Sequence, residues 1–275
     1  MSKSSSRKSY YTECGYTVEL YLHEGFLLDN MDDLSDPDAL IDASSIIKDD
    51  NYVKAGIFSV DGKNIFIKKY KNRDLLYSIK NLFRISKAEK YSRISEVLRE
   101  SGVCFPEFYG YIKKTKKCLN QEIFLLTEKI NDIASDEFYL KNVFYSEQKL
   151  KMFCSMVIEL LSNLHNTNIF HGDCKLHNFF INQSKEGFSI GIWDFDGTEI
   201  YSKISIAKRG KDLGRFITAI FEFIYEQNLS DIITKDLLVK YVADNYSFEG
   251  NKNRLECAVM KSLNHHLQRK GLEVV

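Results

Sequence analysis

Residues 171–178 read His-Gly-Asp-Cys-Lys-Leu-His-Asn, and Asp194-Phe195-Asp196 follows after a strand-like run. This stretch places an acid, a lysine and an amide in the pattern H-x-D-x-K-x-x-N and adds a second acid downstream. Phosphoryl transfer to a hydroxyl needs such a set, because one carboxylate must face the attacking hydroxyl while hard oxygen ligands hold Mg²⁺ against the phosphates. The stretch therefore predicts both the fold and the chemistry of the chain.

Each polar side chain of the stretch has a predicted role. Asp173 is the candidate base, which orients the hydroxyl and accepts its proton, and Lys175 can neutralise charge on the transferred group. Asn178 and Asp194 are the candidate Mg²⁺ ligands. Taken alone, Asp173 would be interpreted as a loop residue that caps a turn. Its spacing to the other three residues favours the catalytic interpretation.

Three further side chains in this region have weaker signals. His171 is expected to hold the backbone rather than to act as a base. Asp196 either assists the metal or only caps the following turn. Asp212 stands at the start of an apolar helix, which its carboxylate could cap.

Composition excludes several functional classes. The chain has 275 residues, 44% of them hydrophobic, and its 38 basic side chains balance 38 acidic ones, so no global basic field for nucleic acid exists. The first residues are polar and lack the apolar segment of a secretory signal. No apolar run is long enough to span a bilayer. A cytoplasmic protein is expected, and a peripheral contact with a membrane face stays open.

The hydrophobic pattern predicts strands in the first half of the chain. Residues 52–60 and 64–70 have strand character on either side of the turn Asp61-Gly62. Residues 75–100 have helical spacing. Helical periodicity then dominates the second half.

The chain is therefore predicted to be α+β with two lobes. A small, β-rich N-terminal lobe covers residues 46–130, and a larger, mostly helical C-terminal lobe covers residues 131–275. Residues 1–45 form an N-terminal extension that is partly flexible.

Lys68 follows Ile65-Phe66-Ile67 in the second predicted strand. Alternation places Ile65 and Ile67 on one face of this strand and Lys68 on the other, so Lys69 would lie with the isoleucines. A lysine on an isolated strand is usually solvated, and only the downstream stretch makes Lys68 a candidate site residue.

The following helix offers three acids as a partner for Lys68. Glu89 is the preferred candidate, while Glu96 and Glu100 compete with it, because helical periodicity does not separate them. Solvent exposure of all three is the alternative.

Together these residues resemble the protein-kinase-like superfamily over roughly residues 50–225. The forms His-Gly-Asp and Asp-Phe-Asp look most similar to the bacterial lipopolysaccharide-core kinases, which include the heptose kinase (WaaY-like) family and the deoxy-manno-octulosonic acid kinases. The resemblance implies a two-lobed kinase fold. It also implies transfer of the γ-phosphoryl group of ATP, with Mg²⁺, to a hydroxyl of an inner-core heptose. The acceptor would be met at the cytoplasmic face of the inner membrane.

The resemblance implies roles for residues outside the stretch as well. Lys68 would grip the α- and β-phosphates of ATP and pair with Glu89. Glu128 would begin the hinge between the lobes, and Asp212 would hold the backbone of the loop that carries Asp173.

Among the departures of the chain from the protein kinases, two bear on how it binds ATP and its acceptor. No G-x-G-x-x-G loop is present, and only Gly56 and Gly62 lie in the region where it would stand, so the cover of the ATP phosphates is not explained. Only seventeen residues separate Asp194 from Asp212, too few for a long activation segment. This shortness favours a sugar or another small molecule over a protein as acceptor.

Two other functions stay open. A small-molecule kinase of the aminoglycoside or choline type shares the H-G-D pattern, although the basic segment 203–215 disfavours a cationic substrate. A non-catalytic pseudokinase is compatible with the missing glycine loop. The basic segment is expected either to bind phosphorylated sugars or anionic lipid, or to be a solvated loop. Its basic residues are Lys203, Lys208, Arg209, Lys211 and Arg215.

Overall fold

The computed structural model divides the chain into two compact units. The first contains Met1–Ser95 and Pro106–Ile130, and the second contains Glu96–Phe105 and Asn131–Val275. The residues that the structure describes are 6–11, 16–22, 34–60, 62–71, 85–116, 120–130, 143–184, 187–229 and 233–272.

An antiparallel sheet forms most of the first unit. Its strands are β1 (Ser6–Tyr11), β2 (Tyr16–Leu22), β3 (Ser45–Asp49), β4 (Val53–Val60), β5 (Lys63–Tyr70), β6 (Phe108–Lys116) and β7 (Asn120–Glu128). Among the described residues, seven strands lie in the order β1-β2-β6-β7-β5-β4-β3. The helices among its described residues are α1 (Pro37–Asp42) and α2 (Lys87–Leu98). The described part of residues 1–45 thus supplies two strands of the sheet as well as α1.

One face of this sheet carries the core of the unit. On β5, Ile65 and Ile67 are fully buried, whereas Phe66 and Lys68 are half-buried, as the alternation predicts. The buried set on this face is Val18, Leu20, Leu22, Leu34, Ile41, Ile65, Ile67, Ile112, Phe124 and Leu126. Lys68 therefore points away from the core face.

A cluster of four charged side chains joins α1 to the core face of the sheet. This cluster, here called the charged clasp, consists of Asp38, Lys69, Lys114 and Glu122. Asp38 of α1 accepts hydrogen bonds from Lys69 and Lys114, and the Lys69 ammonium also lies 2.9 Å from Glu122 Oε1. Burial raises the pKa of Asp38, but the hydrogen bonds from Lys114 and Lys69 outweigh it, so the net pKa is lowered. Lys69 thus lies on the isoleucine face, as predicted, and serves the fold.

The connection between β3 and β4 is a tight turn closed by an acidic side chain. Asp50 Oδ1 accepts from the N–H groups of Tyr52 and Val53, each at 2.7 Å. These backbone hydrogen bonds lower the pKa of Asp50 to about 2. In this turn, a carboxylate of the chain itself occupies N–H groups of the kind that bind anions elsewhere.

The two glycines of this region have structural roles. Gly56 lies on β4 so close to Ser44 that a Cβ atom would collide with the serine side chain. Gly62 has φ +72° and stands in the two-residue connection between Val60 and Lys63, as expected for the predicted turn. Asp61 lies outside the described residues.

Helices and two short antiparallel strand pairs make up the described part of the second unit. The helices are α3 (Glu147–Asn166), α4 (Ile206–Glu226), α5 (Lys235–Asn245) and α6 (Lys252–Lys270). The strands are β8 (Ile169–Phe170), β9 (Phe179–Ser184), β10 (Gly187–Ile192) and β11 (Glu199–Ile200). β9 pairs with β10 and β8 with β11, both antiparallel.

Small residues bring α4 and α6 into close contact. A Cβ atom on Gly210 would lie 2.6 Å from Ala258 Cβ, and one on Gly214 would lie 2.6 Å from Ser262 Cβ. A larger side chain at either glycine would push the helices apart. This close approach brings the C-terminal turns of α6 near Arg215 of α4.

Replacing Asp38 by Asn should reduce the free energy of unfolding by about 1–2 kcal/mol at neutral pH, between the values for exposed and buried ion pairs. Because the folded-state pKa of Asp38 is lowered, its contribution is present above the unfolded-state pKa and is lost as the pH falls through the folded-state value. Urea titrations of both proteins from neutral to acidic pH should therefore converge. The matched control is Asp42→Asn, which removes an exposed partner of Lys54. An Asp38→Asn effect no larger than the control's would contradict the clasp.

Candidate active site

The loop of residues 171–178 connects β8 to β9, and β10 leads into the second acidic motif. The Trp193 N–H donates to the Asn178 carbonyl at 3.0 Å, and its indole Nε1–H donates to the His177 carbonyl at 2.7 Å. These bonds join the end of the loop to the residue that precedes Asp194. The two candidate metal ligands, Asn178 and Asp194, are therefore brought together by the backbone.

His171 holds the backbone at the start of the loop. Its Nδ1 accepts from the Asp173 N–H at 3.3 Å, so Nε2 carries the proton and donates to the Trp193 carbonyl at 3.0 Å. The Thr198 hydroxyl donates to the His171 carbonyl at 3.2 Å. These bonds confirm the predicted role of His171, because both ring nitrogens are used by the backbone.

Asp173 is surrounded by the side chains that were predicted around it. Its Oδ2 lies 2.8 Å from Lys175 Nζ and 3.2 Å from Asn178 Nδ2, which also donates to the Asp173 carbonyl at 2.7 Å. The Asp173 side chain is 37% exposed, so a hydroxyl can reach it. Asn178 is buried, and its amide N–H groups face Asp173, which assigns its amide oxygen to any metal.

Asp194 has a left-handed backbone, with φ 62° and ψ 63°. This conformation is uncommon outside glycine and is best tolerated by Asn and Asp. The next residue, Phe195, is buried and packs edge-on against the His171 ring, with centroids 5.5 Å apart. Residues Phe195–Gly197 form a 3₁₀ turn, and the Asp194 side chain does not cap it. Buried packing thus holds a backbone geometry that is typical of functional sites.

Asp212 holds the start of the loop through hydrogen bonds from the backbone. Its Oδ2 accepts from the His171 N–H at 2.8 Å and its Oδ1 from the Gly172 N–H at 2.9 Å. The helix-capping interpretation of Asp212 is wrong, because α4 begins at Ile206 and its cap is Ser205, whose hydroxyl accepts from the backbone. The carboxylate instead binds the loop, as the family resemblance implied.

His165 of α3 completes the environment of the Asp212 carboxylate. Its Nε2 lies 3.0 Å from Asp212 Oδ2, and both side chains are almost fully buried. Burial lowers the pKa of His165 more than Asp212 raises it, so the ring is neutral and donates through Nε2–H. Burial raises the pKa of Asp212, but hydrogen bonds and charges, led by His165, lower it overall. The carboxylate is therefore ionised.

A chain of hydrogen bonds extends this network to Tyr246, which the sequence did not suggest, and to Arg209, which was predicted only as part of the basic segment. Arg209 Nη1 donates to the Tyr246 hydroxyl at 2.6 Å, and this hydroxyl donates to His165 Nδ1 at 2.7 Å. Burial is the main reason why the pKa of Tyr246 rises to about 12, so the hydroxyl keeps its proton. Every donor in the chain from Arg209 to Asp212 thus has one acceptor.

Arg215 is a second feature that the sequence did not single out by itself. It lies one helical turn after Asp212, on α4, and its Nε is 3.9 Å from Asp173 Oδ1. Its Nη1 lies 3.3 Å from both carboxylate oxygens of Glu222. The i, i+3 spacing on a helix could have indicated that Asp212 and Arg215 face the same loop.

Residues 40–239 match the model of a protein family described as "Lipopolysaccharide kinase (Kdo/WaaP) family". This chain belongs to that family. The match covers well over half of the sequence and includes every residue predicted for the site.

Solved and curated relatives agree with a kinase fold. The solved structure "WaaP in complex with acyl carrier protein" has a TM-score of 0.64 at 17% identity and covers 91% of this chain and 98% of its own. The Dictyostelium discoideum protein "Probable serine/threonine-protein kinase fhkB" is 27% identical over 146 residues, which are 52% of this chain and 12% of that protein. "Probable serine/threonine-protein kinase 2" of Plasmodium falciparum (isolate K1 / Thailand) is 23% identical over 219 residues, or 76% of this chain and 42% of that protein. The chain thus spans less than half the length of either curated relative.

These findings confirm three predictions made from the sequence. The chain has the α+β fold of a protein-kinase-like protein, it belongs to a lipopolysaccharide kinase family, and the enzyme class is that of phosphotransferases acting on a hydroxyl. The roles of the individual site residues stay predictions.

The three site residues predicted in the first unit have defined positions. Lys68 lies opposite Ala55 of β4 and Leu125 of β7, on the face of the sheet away from the core, and its ammonium is 5.3 Å from the Tyr70 ring centroid. Glu128 ends β7, and its carboxylate accepts from the Glu107 N–H at 3.2 Å.

Glu89 belongs to a capping box at the start of α2. Its Oε2 accepts from the Ser86 N–H at 2.9 Å, while the Ser86 hydroxyl accepts from the Glu89 N–H at 3.1 Å. The pattern Ser-x-x-Glu ahead of a helix is the sequence signal for this arrangement. The pairing of Glu89 with Lys68 stays a prediction.

The basic segment 203–215 does not act as one surface. Lys208 lies 3.2 Å from Glu199 and stacks over Phe170, while Arg209 belongs to the hydrogen-bond chain to His165. Lys203 and Lys211 are exposed. The interpretation of this segment as one solvated loop is therefore wrong for Lys208, Arg209 and Arg215, which make specific contacts. No helix within the described residues is long and apolar enough to cross a membrane.

Replacing Tyr246 by Phe should reduce the free energy of unfolding by about 1–3 kcal/mol, because the buried His165 Nδ1 loses its donor and Arg209 loses an acceptor. Urea denaturation of the two proteins measures this difference. The matched control is Tyr241→Phe, whose hydroxyl bonds the exposed Ser155 and should matter by less than about 1 kcal/mol. Equal effects of the two substitutions would contradict the buried hydrogen-bond chain.

Proposed function

We propose that the chain transfers the γ-phosphoryl group of ATP to a hydroxyl of a heptose in the inner core of lipopolysaccharide. The observation that carries this proposal is the accessible Asp173 carboxylate, with Lys175 2.8 Å away, on a loop anchored by the buried Asp212. Membership of the lipopolysaccharide kinase family supplies the acceptor class. The choice of heptose within that class rests on the form of the motif at 171–178.

In the proposed reaction, Asp173 orients the acceptor hydroxyl and takes its proton as the new O–P bond forms. The bond between the γ-phosphorus and the bridging oxygen breaks, and ADP leaves. Lys175 balances negative charge that develops on the transferred group. Asp173 cannot drift from its position, because its N–H is bonded to His171 and its carbonyl to Asn178.

Asn178 and Asp194 would hold Mg²⁺ through an amide oxygen and a carboxylate. Both are hard oxygen ligands, and Mg²⁺ keeps several waters, so two protein ligands together with phosphate oxygens suffice. When bound, Mg²⁺ neutralises phosphate charge.

The remaining proposed roles follow the resemblance to kinases. Lys68 would contact the α- and β-phosphates, Glu89 would be its partner, and Glu128 would begin the hinge. Because ATP is the donor, the reaction would take place on the cytoplasmic side of the inner membrane, with peripheral contact to reach the glycolipid. The balanced composition supports the absence of a nucleic-acid partner.

A sugar acceptor is supported over a protein acceptor by the segment after Asp194. A 3₁₀ turn and the two-residue strand β11 occupy it before α4 begins at Ile206. It contains no extended platform on which a peptide would lie. The kinase names of the curated relatives therefore do not by themselves favour a protein substrate.

The proposed reaction is tested with γ-labelled ATP, Mg²⁺ and purified lipopolysaccharide that lacks heptose phosphate. We expect label in the glycolipid from the native enzyme and a loss of about 10²–10⁴-fold with Asp173→Asn, which keeps the shape but not the base. The matched control is Asp236→Asn, an exposed acid in the first turn of α5, which should transfer at the native rate.

Three acceptors and one binding measurement separate the alternatives. A lipopolysaccharide truncated before the first heptose should take up no label, and label there would move the reaction to a deoxy-octulosonic acid. Label only in an aminoglycoside or choline would support the small-molecule kinase. An absence of ATP binding in calorimetry would support the pseudokinase.

A further inference from the structure

Cations from two separate segments lie beside the candidate base, and a third segment adds cations next to one of them. Lys175 lies on the loop, 2.8 Å from Asp173. Arg215 lies on α4, with only 15% of its side chain exposed, and its Nε is 3.9 Å from the other oxygen of the same carboxylate. Both carboxylate oxygens of Asp173 thus have a cation nearby.

The C-terminal turns of α6 extend this group. Lys270 Nζ lies 3.6 Å from Glu222 Oε1, the carboxylate that also accepts from Arg215. His266, one turn earlier, is half-buried. Burial and the nearby charges of Arg215, His265 and Arg269 lower the pKa of His266, which places it within the field of the other cations.

Positive charge exceeds negative charge in this group. By the distances between charged atoms, its permanent cations are Lys175, Arg215 and Lys270, and its acids are Asp173 and Glu222. Arg269 lies one helical turn after His266 and adds its charge there. Like charges repel, so packing them together costs stability unless an anion joins them. The group is held by tertiary packing, because the glycine contacts between α4 and α6 bring separate elements together.

A purely structural explanation accounts for only part of the group. Basic residues in the last turn of a helix are favoured by its dipole, which explains Arg269 and Lys270 on α6. The dipole does not explain why Arg215 reaches from another helix toward Asp173. Glu222 balances one cation, and Asp173 must stay accessible to act as a base. The excess charge therefore lies next to Arg215, the cation that is 3.9 Å from Asp173.

We propose that Arg215, His266, Arg269 and Lys270 form an anion subsite beside Asp173, which binds a phosphate or carboxylate group carried by the acceptor. This inference rests on the proposed function for its role in acceptor binding. The five N–H donors of Arg215 suit it to an anion, since the contacts described above involve only Nε and Nη1. An anionic group bound there would place a neighbouring hydroxyl of the same molecule near Asp173.

Inorganic phosphate tests the subsite without any need for catalysis. NMR signals of the histidine ring protons are followed during a phosphate titration at constant pH and ionic strength, with His266 identified through His266→Gln. We expect a saturable shift of the His266 signal in the native protein and at least about fivefold weaker binding in Arg269→Gln/Lys270→Gln. The matched control, Arg254→Gln/Lys261→Gln, removes two exposed cations elsewhere on α6 and should bind like the native protein.

Initial-rate kinetics test the role in acceptor binding. Arg269→Gln/Lys270→Gln should raise KM for lipopolysaccharide about tenfold while KM for ATP changes less than about twofold. For the native enzyme, lipopolysaccharide treated with hydrofluoric acid to remove its phosphates should show the same rise in KM if the bound group is a phosphate. It should be unaffected if the group is a carboxylate.

The outcomes separate the two proposals. A saturable His266 shift without transfer to lipopolysaccharide would support the subsite and reject the proposed function. If the native enzyme phosphorylates lipopolysaccharide and Arg269→Gln/Lys270→Gln has the native KM for it, the subsite is overturned. A His266 signal that does not shift saturably with phosphate would overturn it as well. Equal effects of the α6 variant and its control would overturn it as well, because the cause would then be general charge.

Discussion

The buried carboxylate of Asp212 is the constraint on which the rest of the candidate active site depends. It accepts from two consecutive backbone N–H groups, those of His171 and Gly172, and from the ring of His165. Burying an ionised carboxylate is costly unless hydrogen bonds satisfy it, and here three donors do so. The loop therefore has one low-energy position, since any displacement would leave a buried charge without donors.

The chemistry follows from that fixed loop. Because Asp212 holds the backbone N–H groups of His171 and Gly172, the His171 ring can accept from the Asp173 N–H through Nδ1 and donate to the Trp193 carbonyl through Nε2. The second bond joins the loop to the motif of Asp194. α4 contributes two side chains to the site. Asp212 binds the backbone of the loop, and Arg215 lies beside the candidate base. The hydrogen-bond chain through Tyr246 then explains why a buried neutral histidine can stand next to the carboxylate.

The sequence predicted what depends on local spacing. Alternation along β5 was sufficient to separate Lys68 from Lys69, and the motif at 171–178 was sufficient to indicate the fold and the enzyme class. The local pattern Ser86-x-x-Glu89 also indicates a capping box, which the structure contains. It distinguishes Glu89 from Glu96 and Glu100, which helical periodicity alone does not.

What could not be predicted depends on contacts between distant residues. Tyr246 meets His165 across 81 positions, and no periodic pattern announces such a contact. The turn closed by Asp50 and the separation of the basic segment into unlike contacts are likewise products of packing. The excess of positive charge around Arg215 likewise depends on the packing of α6 against α4.

The most direct test of this account is the effect of Asp212→Asn on phosphoryl transfer and on ATP affinity, measured on a protein whose fold is checked by circular dichroism. An amide at this position keeps the size of the side chain but removes the charge and turns one acceptor into a donor facing an N–H group. The account predicts a folded protein that binds ATP within about twofold of the native affinity and transfers phosphate at least about 10²-fold more slowly. A folded variant that transfers at close to the native rate would contradict it, because the loop would then hold Asp173 in place without the buried carboxylate.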